Sequence, residues 1–227
     1  MNLLYQQYLY SYKKDIRTAF SGFGRGWLLN KLLKAIDLYN KDKYEKAINI
    51  LTKLKKSCKT TDEFCAVLLF TAVSYEGLSY LSTAVEVYLE MLEHDPSRST
   101  AHSNLGLNYR QLGEFEKAIS SFEKAIACDS ENPYAYNNLG LTYYRLGEYE
   151  KAIEQCEKAL SLKRNLYQAA NCLCLCYFAL KNLEQSKKYF KIAVTNGSNA
   201  DMLRGEIRKL QQESVIDVSD DFFWDLN

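Results

Sequence analysis

Apolar residues through the middle of the chain return with helical rather than strand spacing. In residues 133–166, Leu139, Gly140 and Tyr143 fall on one face of a first helix, and Ala152, Cys156 and Ala159 on one face of a second. Gly147 lies between them, where a left-handed residue ends the first helix. The pattern predicts a helical hairpin. Residues 99–132 repeat it: laid over 133–166 without a gap, they are identical at sixteen of 34 positions. Near the start, Leu4, Tyr8, Tyr12, Ile16 and Phe20 form a helical apolar stripe that ends at the glycine cluster Ser21 to Gly26. Near the end, Met202, Leu203, Ile207 and Leu210 give Asn199 to Glu213 an apolar side.

A fixed period of this length is the mark of a repeat architecture, so the matching residues should be packing rules. Gly140 and Ala152 lack bulk where two antiparallel helices approach most closely. Asn132 before Pro133 reads as an N-cap followed by proline at the first helical position. Leu139, Gly140, Tyr143, Gly147, Ala152 and Ala159 together resemble the signature of the tetratricopeptide repeat. Carried outward at the same period, the frame finds Ala72, Tyr75, Ala84, Tyr88 and Asp95-Pro96 in residues 65–98. In residues 167–200 it finds Leu173, Cys174, Tyr177, Phe190 and Ala193, with Ser186 in place of the usual alanine and Lys181-Asn182 in place of the glycine turn. Residues 28–64 match mainly through Tyr44 to Ile48 and run three residues long. The resemblance implies an all-α, right-handed superhelical solenoid of about five helical hairpins with terminal capping helices. Its parts are a capping helix and glycine hinge (1–27), five repeats (28–64, 65–98, 99–132, 133–166, 167–200), a second capping helix (201–213) and an acidic aromatic tail (214–227).

Composition supports a helical protein: of 227 residues 47% are apolar and 25% charged, with only two prolines. Neither end reads as a targeting signal and the longest nearly uncharged apolar run, Phe64 to Val73, is far short of a membrane span, so a cytoplasmic protein without membrane contact is expected. The seven cysteines include Cys172, Cys174 and Cys176, whose two-residue spacing on a helix cannot converge on one metal; they read as small buried thiols, with an exposed, reactive Cys172 as the alternative. Of the two histidines, His94 sits beside a turn and His102 at a packing position, and no P-loop, nucleophile elbow or zinc-ligand spacing occurs. Nothing here assembles a nucleophile, a base and an orienting group, which points away from an enzyme and from any cofactor.

Charge is unevenly divided. Residues 1–60 hold thirteen Lys or Arg against four Asp or Glu, a balance of +9, and the other residues sixteen against 24, a balance of −8. That division raises an alternative function, nucleic-acid binding through the basic N-terminal region, but Lys13, Lys14, Arg17, Lys53, Lys55, Lys56 and Lys59 follow no recurring code.

By the same resemblance, the first helix of each hairpin lines a concave groove. The groove residues would be Asn104, Leu107 and Arg110 in the third repeat, Tyr134, Asn137, Asn138, Leu141, Tyr144 and Arg145 in the fourth, and Asn171, Leu175 and Phe178 in the fifth. Asparagines offer donors and an acceptor to the main chain of an extended peptide, arginines favour carboxylates, and the aromatic rings give rigid apolar contact. The expected partner is therefore an extended, acidic, partly aromatic protein segment, held by a non-catalytic adaptor. Ninth-position leucines disfavour the family's clamp for chaperone C-termini. Groove positions of the first two repeats are apolar, among them Leu29, Leu33, Ala66, Leu69, Phe70 and Val73, which suggests a groove filled by the first helix. The chain's own end, with Phe222, Phe223 and Trp224 among acids, has the composition expected of the ligand and gives a route to self-association.

Overall fold

A computed structural model describes residues 26–214, and eleven α-helices cover most of them. The predicted N-terminal helix, most of the glycine hinge and the acidic aromatic tail lie outside the described residues. The chain divides into two compact units, meeting in sequence between Leu112 and Gly113, inside the third repeat.

The first unit contains α1 (Gly26–Asn40), α2 (Tyr44–Lys55), α3 (Thr61–Gly77), α4 (Leu81–His94) and α5 (Ser99–Gln111). Each helix packs on the next. Leu32, Ile36, Leu51 and Leu54 fill the first hairpin, and Phe70, Ala72, Ala84, Tyr88 and Met91 the second. The three additional residues of the first repeat have a local cause. Helix α3 begins at Thr61, one turn ahead of the 34-residue frame, because Thr60 and Glu63 form a capping box. Glu63 Oε2 accepts from the backbone N–H of Lys59 at 2.8 Å and of Thr60 at 3.3 Å, which satisfies amides that a helix start otherwise leaves open.

The second unit contains α6 (Phe115–Cys128), α7 (Pro133–Arg145), α8 (Tyr149–Leu162), α9 (Tyr167–Ala179), α10 (Leu183–Thr195) and α11 (Ala200–Ser214). The hairpins α7–α8 and α9–α10 stack through α8 on α9 and α7 on α9. A Cβ built on Gly140 would sit 2.5 Å from Cys156 Sγ and 3.1 Å from the Ala152 carbonyl, so the missing side chain is what lets α7 and α8 approach. In the next hairpin Cys174 and Ser186 occupy the corresponding places. Ser186 Oγ donates to the Cys174 carbonyl at 2.9 Å, so the hydroxyl that replaces alanine is buried without loss of hydrogen bonding. Asn132 caps α7 as expected, its Oδ1 accepting from Tyr134 N at 3.0 Å and Ala135 N at 3.4 Å.

Among the described residues, the turn after the first helix of each repeat carries a left-handed residue at the same repeat position. Gly113 and Gly147 hold φ of 79° and 76°, and Asp42, Ser79 and Lys181 hold 55°, 63° and 59°. The backbone closes alike at glycine and non-glycine turns: the N–H after the left-handed residue reaches the carbonyl five residues back, Glu148 to Tyr143 at 3.0 Å and Asn182 to Tyr177 at 2.8 Å. Stacking of the hairpins fixes a turn that the residue at Lys181 does not favour.

Helix α11 covers the end of the second unit. Leu203 and Ile207 are buried against Leu175, Phe178 and Phe190, with Leu210 partly buried alongside. Met202, expected on the same side, points outward and is 70% exposed, because it lies one residue off the 203, 207, 210 stripe.

Candidate functional site

The faces of the first helices separate into residues that packing uses and residues that it leaves at the surface. On α7, Asn138, Leu141 and Tyr144 are half-buried and Arg145 is exposed. Asn137 is buried, 3% exposed, and its side-chain oxygen has no hydrogen-bond partner. On α9, Asn171 is half-buried and its side-chain oxygen too is unpartnered. Asn137 and Asn171 hold the same place in successive repeats, and so does Ser103 in the first unit, whose hydroxyl oxygen is likewise unpartnered. An unpaired buried acceptor costs about 1–3 kcal/mol, so its recurrence singles out this repeat position.

Other predicted contact residues have structural work. Leu175 and Phe178 are 5% and 0% exposed and lie under α11, so in this structure they present no surface to a peptide. The signal for this was available: the apolar stripe of α11 needs an apolar partner, and Leu175 and Phe178 sit three apart on α9. Tyr144 packs into the same region, and burial, with Cys176, Cys172 and Glu206 nearby, raises its phenol well above the usual range. Tyr134 is engaged by Lys163, whose Nζ donates to the phenol oxygen at 2.5 Å and lies 4.8 Å from the ring centroid.

In the first unit, Asn104, Leu107 and Arg110 are half-buried on α5. Asn104 Nδ2 donates to the Tyr88 hydroxyl at 3.1 Å, and that hydroxyl donates to Glu76 Oε1 at 3.0 Å. Asn108, not singled out from sequence, donates from Nδ2 to the same Glu76 oxygen at 2.6 Å and to the Asn104 carbonyl at 2.8 Å. Burial pushes the Glu76 carboxyl upward, against the two hydrogen bonds that favour its ionised form. The apolar positions of the first two repeats behave as their composition suggests: Ala66, Leu69, Phe70 and Val73 are buried, and Leu29 and Leu33 partly so. The helix expected to fill that region lies outside the described residues.

Groups with chemical potential are dispersed. His94 packs its ring 4.2 Å from that of Phe64, and His102 hydrogen-bonds the Pro96 carbonyl at 3.0 Å. Cys172, Cys174 and Cys176 are all buried, which removes the exposed Cys172 alternative. Sequence spacing overlooked that Cys172 and Cys176, one turn apart, bring their sulfurs to 3.9 Å. Among the described residues, no three His, Cys, Asp or Glu side chains gather as a metal site, and no helix is long and apolar enough to cross a membrane. Lys55, one of the basic residues behind the nucleic-acid alternative, is ion-paired with Glu90.

Comparison with known proteins agrees with this architecture. Residues 106–147 match the profile described as TPR repeat, and residues 133–166 that of the tetratricopeptide repeat. No curated protein sequence matches the chain. Among solved structures, the crystal structure of MamA is 27% identical over 71% of this chain and 93% of its own, with a TM-score of 0.64. A tetratricopeptide repeat protein from Parabacteroides merdae superposes with a TM-score of 0.70 at 19% identity, over 82% of this chain and 72% of its own. A thermophilic TPR protein of Thermus thermophilus gives 0.60 at 19% identity, over 82% and 99%. The latter two speak for the fold alone.

Proposed function

Because residues 106–166 match tetratricopeptide repeat profiles and the fold is that of tetratricopeptide repeat solenoids, we propose that the chain is a non-catalytic adaptor that holds an extended peptide segment of a partner along the first helices of its hairpins. The reading rests on the half-buried Asn171, whose side-chain oxygen stands without a donor. An extended main chain offers N–H groups at regular intervals, and a small rotation of this amide would let it accept one independently of the peptide's side chains. Asn138 and Leu141 add a polar and an apolar contact on α7, and Arg145 a positive charge that suits a carboxylate. The chain's own acidic end, with Phe222, Phe223 and Trp224, has a composition this surface would accept.

A photo-reactive residue in place of Leu141 tests the location. Dodecapeptides selected by display against the full chain should cross-link from position 141 and not from position 154, an exposed site on α8. Cross-linking from 154 alone would place the binding surface elsewhere. Repeating the selection on a chain lacking residues 214–227 reads the contribution of the tail: stronger capture is expected if the tail competes, and unchanged capture excludes self-occupancy.

A further inference from the structure

Glu76, near the end of α3, is a half-buried carboxylate whose hydrogen-bond donors among the described residues, Tyr88 and Asn108, are neutral. Directions in its network are fixed by chemistry. A tyrosine hydroxyl and an amide nitrogen both donate to Oε1, at 3.0 and 2.6 Å, hydrogen bonds that favour the ionised carboxylate. With its nitrogen committed to Glu76, Asn108 is left with Oδ1 as an acceptor, and Asn108 is 1% exposed with that oxygen unpartnered. Exchanging the amide's oxygen and nitrogen would set oxygen against oxygen at 2.6 Å, so no reorientation removes the orphan. Among the described residues, no lysine, arginine or histidine forms an ion pair with Glu76, although cations are paired elsewhere in this unit: Lys55 with Glu90, and Arg98 with Asp62 and Asp95.

From this geometry we propose that Glu76 and Asn108 form a recognition site for a cationic side chain, the ammonium of a lysine or the guanidinium of an arginine presented by the partner peptide. Glu76 supplies the charge through Oε2, while Oε1 stays anchored to Tyr88 and Asn108. The orphan Asn108 oxygen accepts a second N–H of the cation. A neutral ligand would leave the carboxylate uncompensated, and an acidic one would be repelled. The chain's own last fifteen residues carry five acids and no base, so they do not provide this cation. The inference rests on the peptide-scaffold reading for its source of cations, but the site itself can be probed without any peptide.

The experiment titrates the isotopically labelled full chain with ethylguanidinium chloride and with n-propylammonium chloride. Sodium chloride at equal ionic strength and neutral n-propanol serve as controls, and the Asn108 side-chain amide resonances are followed by NMR. A saturable shift with at least one cation, absent with sodium chloride and n-propanol, is expected; the stronger cation indicates arginine or lysine as the natural group. In Glu76→Gln, which retains an acceptor for Tyr88 and Asn108, the cation should bind at least tenfold more weakly. Absence of a saturable shift with either cation, an equal response to n-propanol, or an unchanged response in Glu76→Gln overturns the proposal. If selected peptides still bind while the cations do not, this inference fails and the scaffold reading stands; if the cations bind to a chain that captures no peptide, the site stands and the scaffold reading fails.

Discussion

The turn residues allow a paired test of whether stacking, rather than local preference, sets the backbone. Gly147 and Lys181 occupy equivalent turns with φ of 76° and 59°. No atom outside the turn lies within 4 Å of a Cβ built on Gly147, so Gly147→Ala adds strain without a clash. A residue with a side chain loses roughly 1–2 kcal/mol in the left-handed region, while glycine loses about 0.5–1 kcal/mol more conformational freedom on folding. The difference favours glycine by about 0.5–1 kcal/mol. Lys181 is exposed, so Lys181→Gly removes the strain and little else. Gly147→Ala should therefore lower stability and Lys181→Gly raise it by similar amounts, and the double variant should return near the parent. For a chain of this size each change moves the melting temperature by about 1–4 °C. Urea unfolding followed by circular dichroism at 222 nm reads the sign directly. A neutral or stabilising Gly147→Ala, or a destabilising Lys181→Gly, would refute the argument that these turns share one left-handed geometry imposed by the hairpin.

Three further outcomes are expected. Gly140→Ala should destabilise by about 1–3 kcal/mol through overpacking, and Cys156→Ala should recover part of that loss, because the nearest obstacle to the new methyl is Cys156 Sγ; additive losses in a double-mutant cycle would contradict the close approach. Since burial raises the folded-state Glu76 carboxyl, keeping it ionised at neutral pH disfavours the folded state. Glu76→Gln should thus be more stable than the parent at pH 7, the gap closing as pH falls through the folded-state value and vanishing below about 4.3, the unfolded one; a gap that widens on acidification has the wrong sign. In the native protein, exposed Cys128 should react first with a thiol reagent, while Cys174, pushed up to about 12 by burial, should react only on unfolding; rapid modification of Cys174 in the folded chain would contradict its burial.

The hairpin repeat was legible because its determinants are local in sequence: Gly140 against Cys156, Asn132 ahead of Pro133, and Gly147 at the turn each act within one 34-residue period. The early start of α3 was less so, since the frame drawn from its neighbours gives no place to a capping box at Thr60 and Glu63. Candidate-site residues were legible as a pattern but not as a surface. Repeat position says that Leu175 and Phe178 face the same way as Leu141, yet only packing shows that α11 lies over them. The Glu76 network was missed for a related reason: Glu76, Tyr88, Asn104 and Asn108 are spread over three helices, and no spacing rule joins them before the chain folds.

The most direct measurement of the scaffold account is the affinity of one display-selected dodecapeptide, labelled for fluorescence anisotropy, for the parent chain and for the Asn104→Ala, Asn138→Ala, Asn171→Ala triple variant. The account predicts a folded variant that binds at least tenfold more weakly, about 1.4 kcal/mol, and a parent that tolerates alanine at most positions of the peptide. An affinity within twofold of the parent, in a variant with an unaltered helical spectrum, would contradict it.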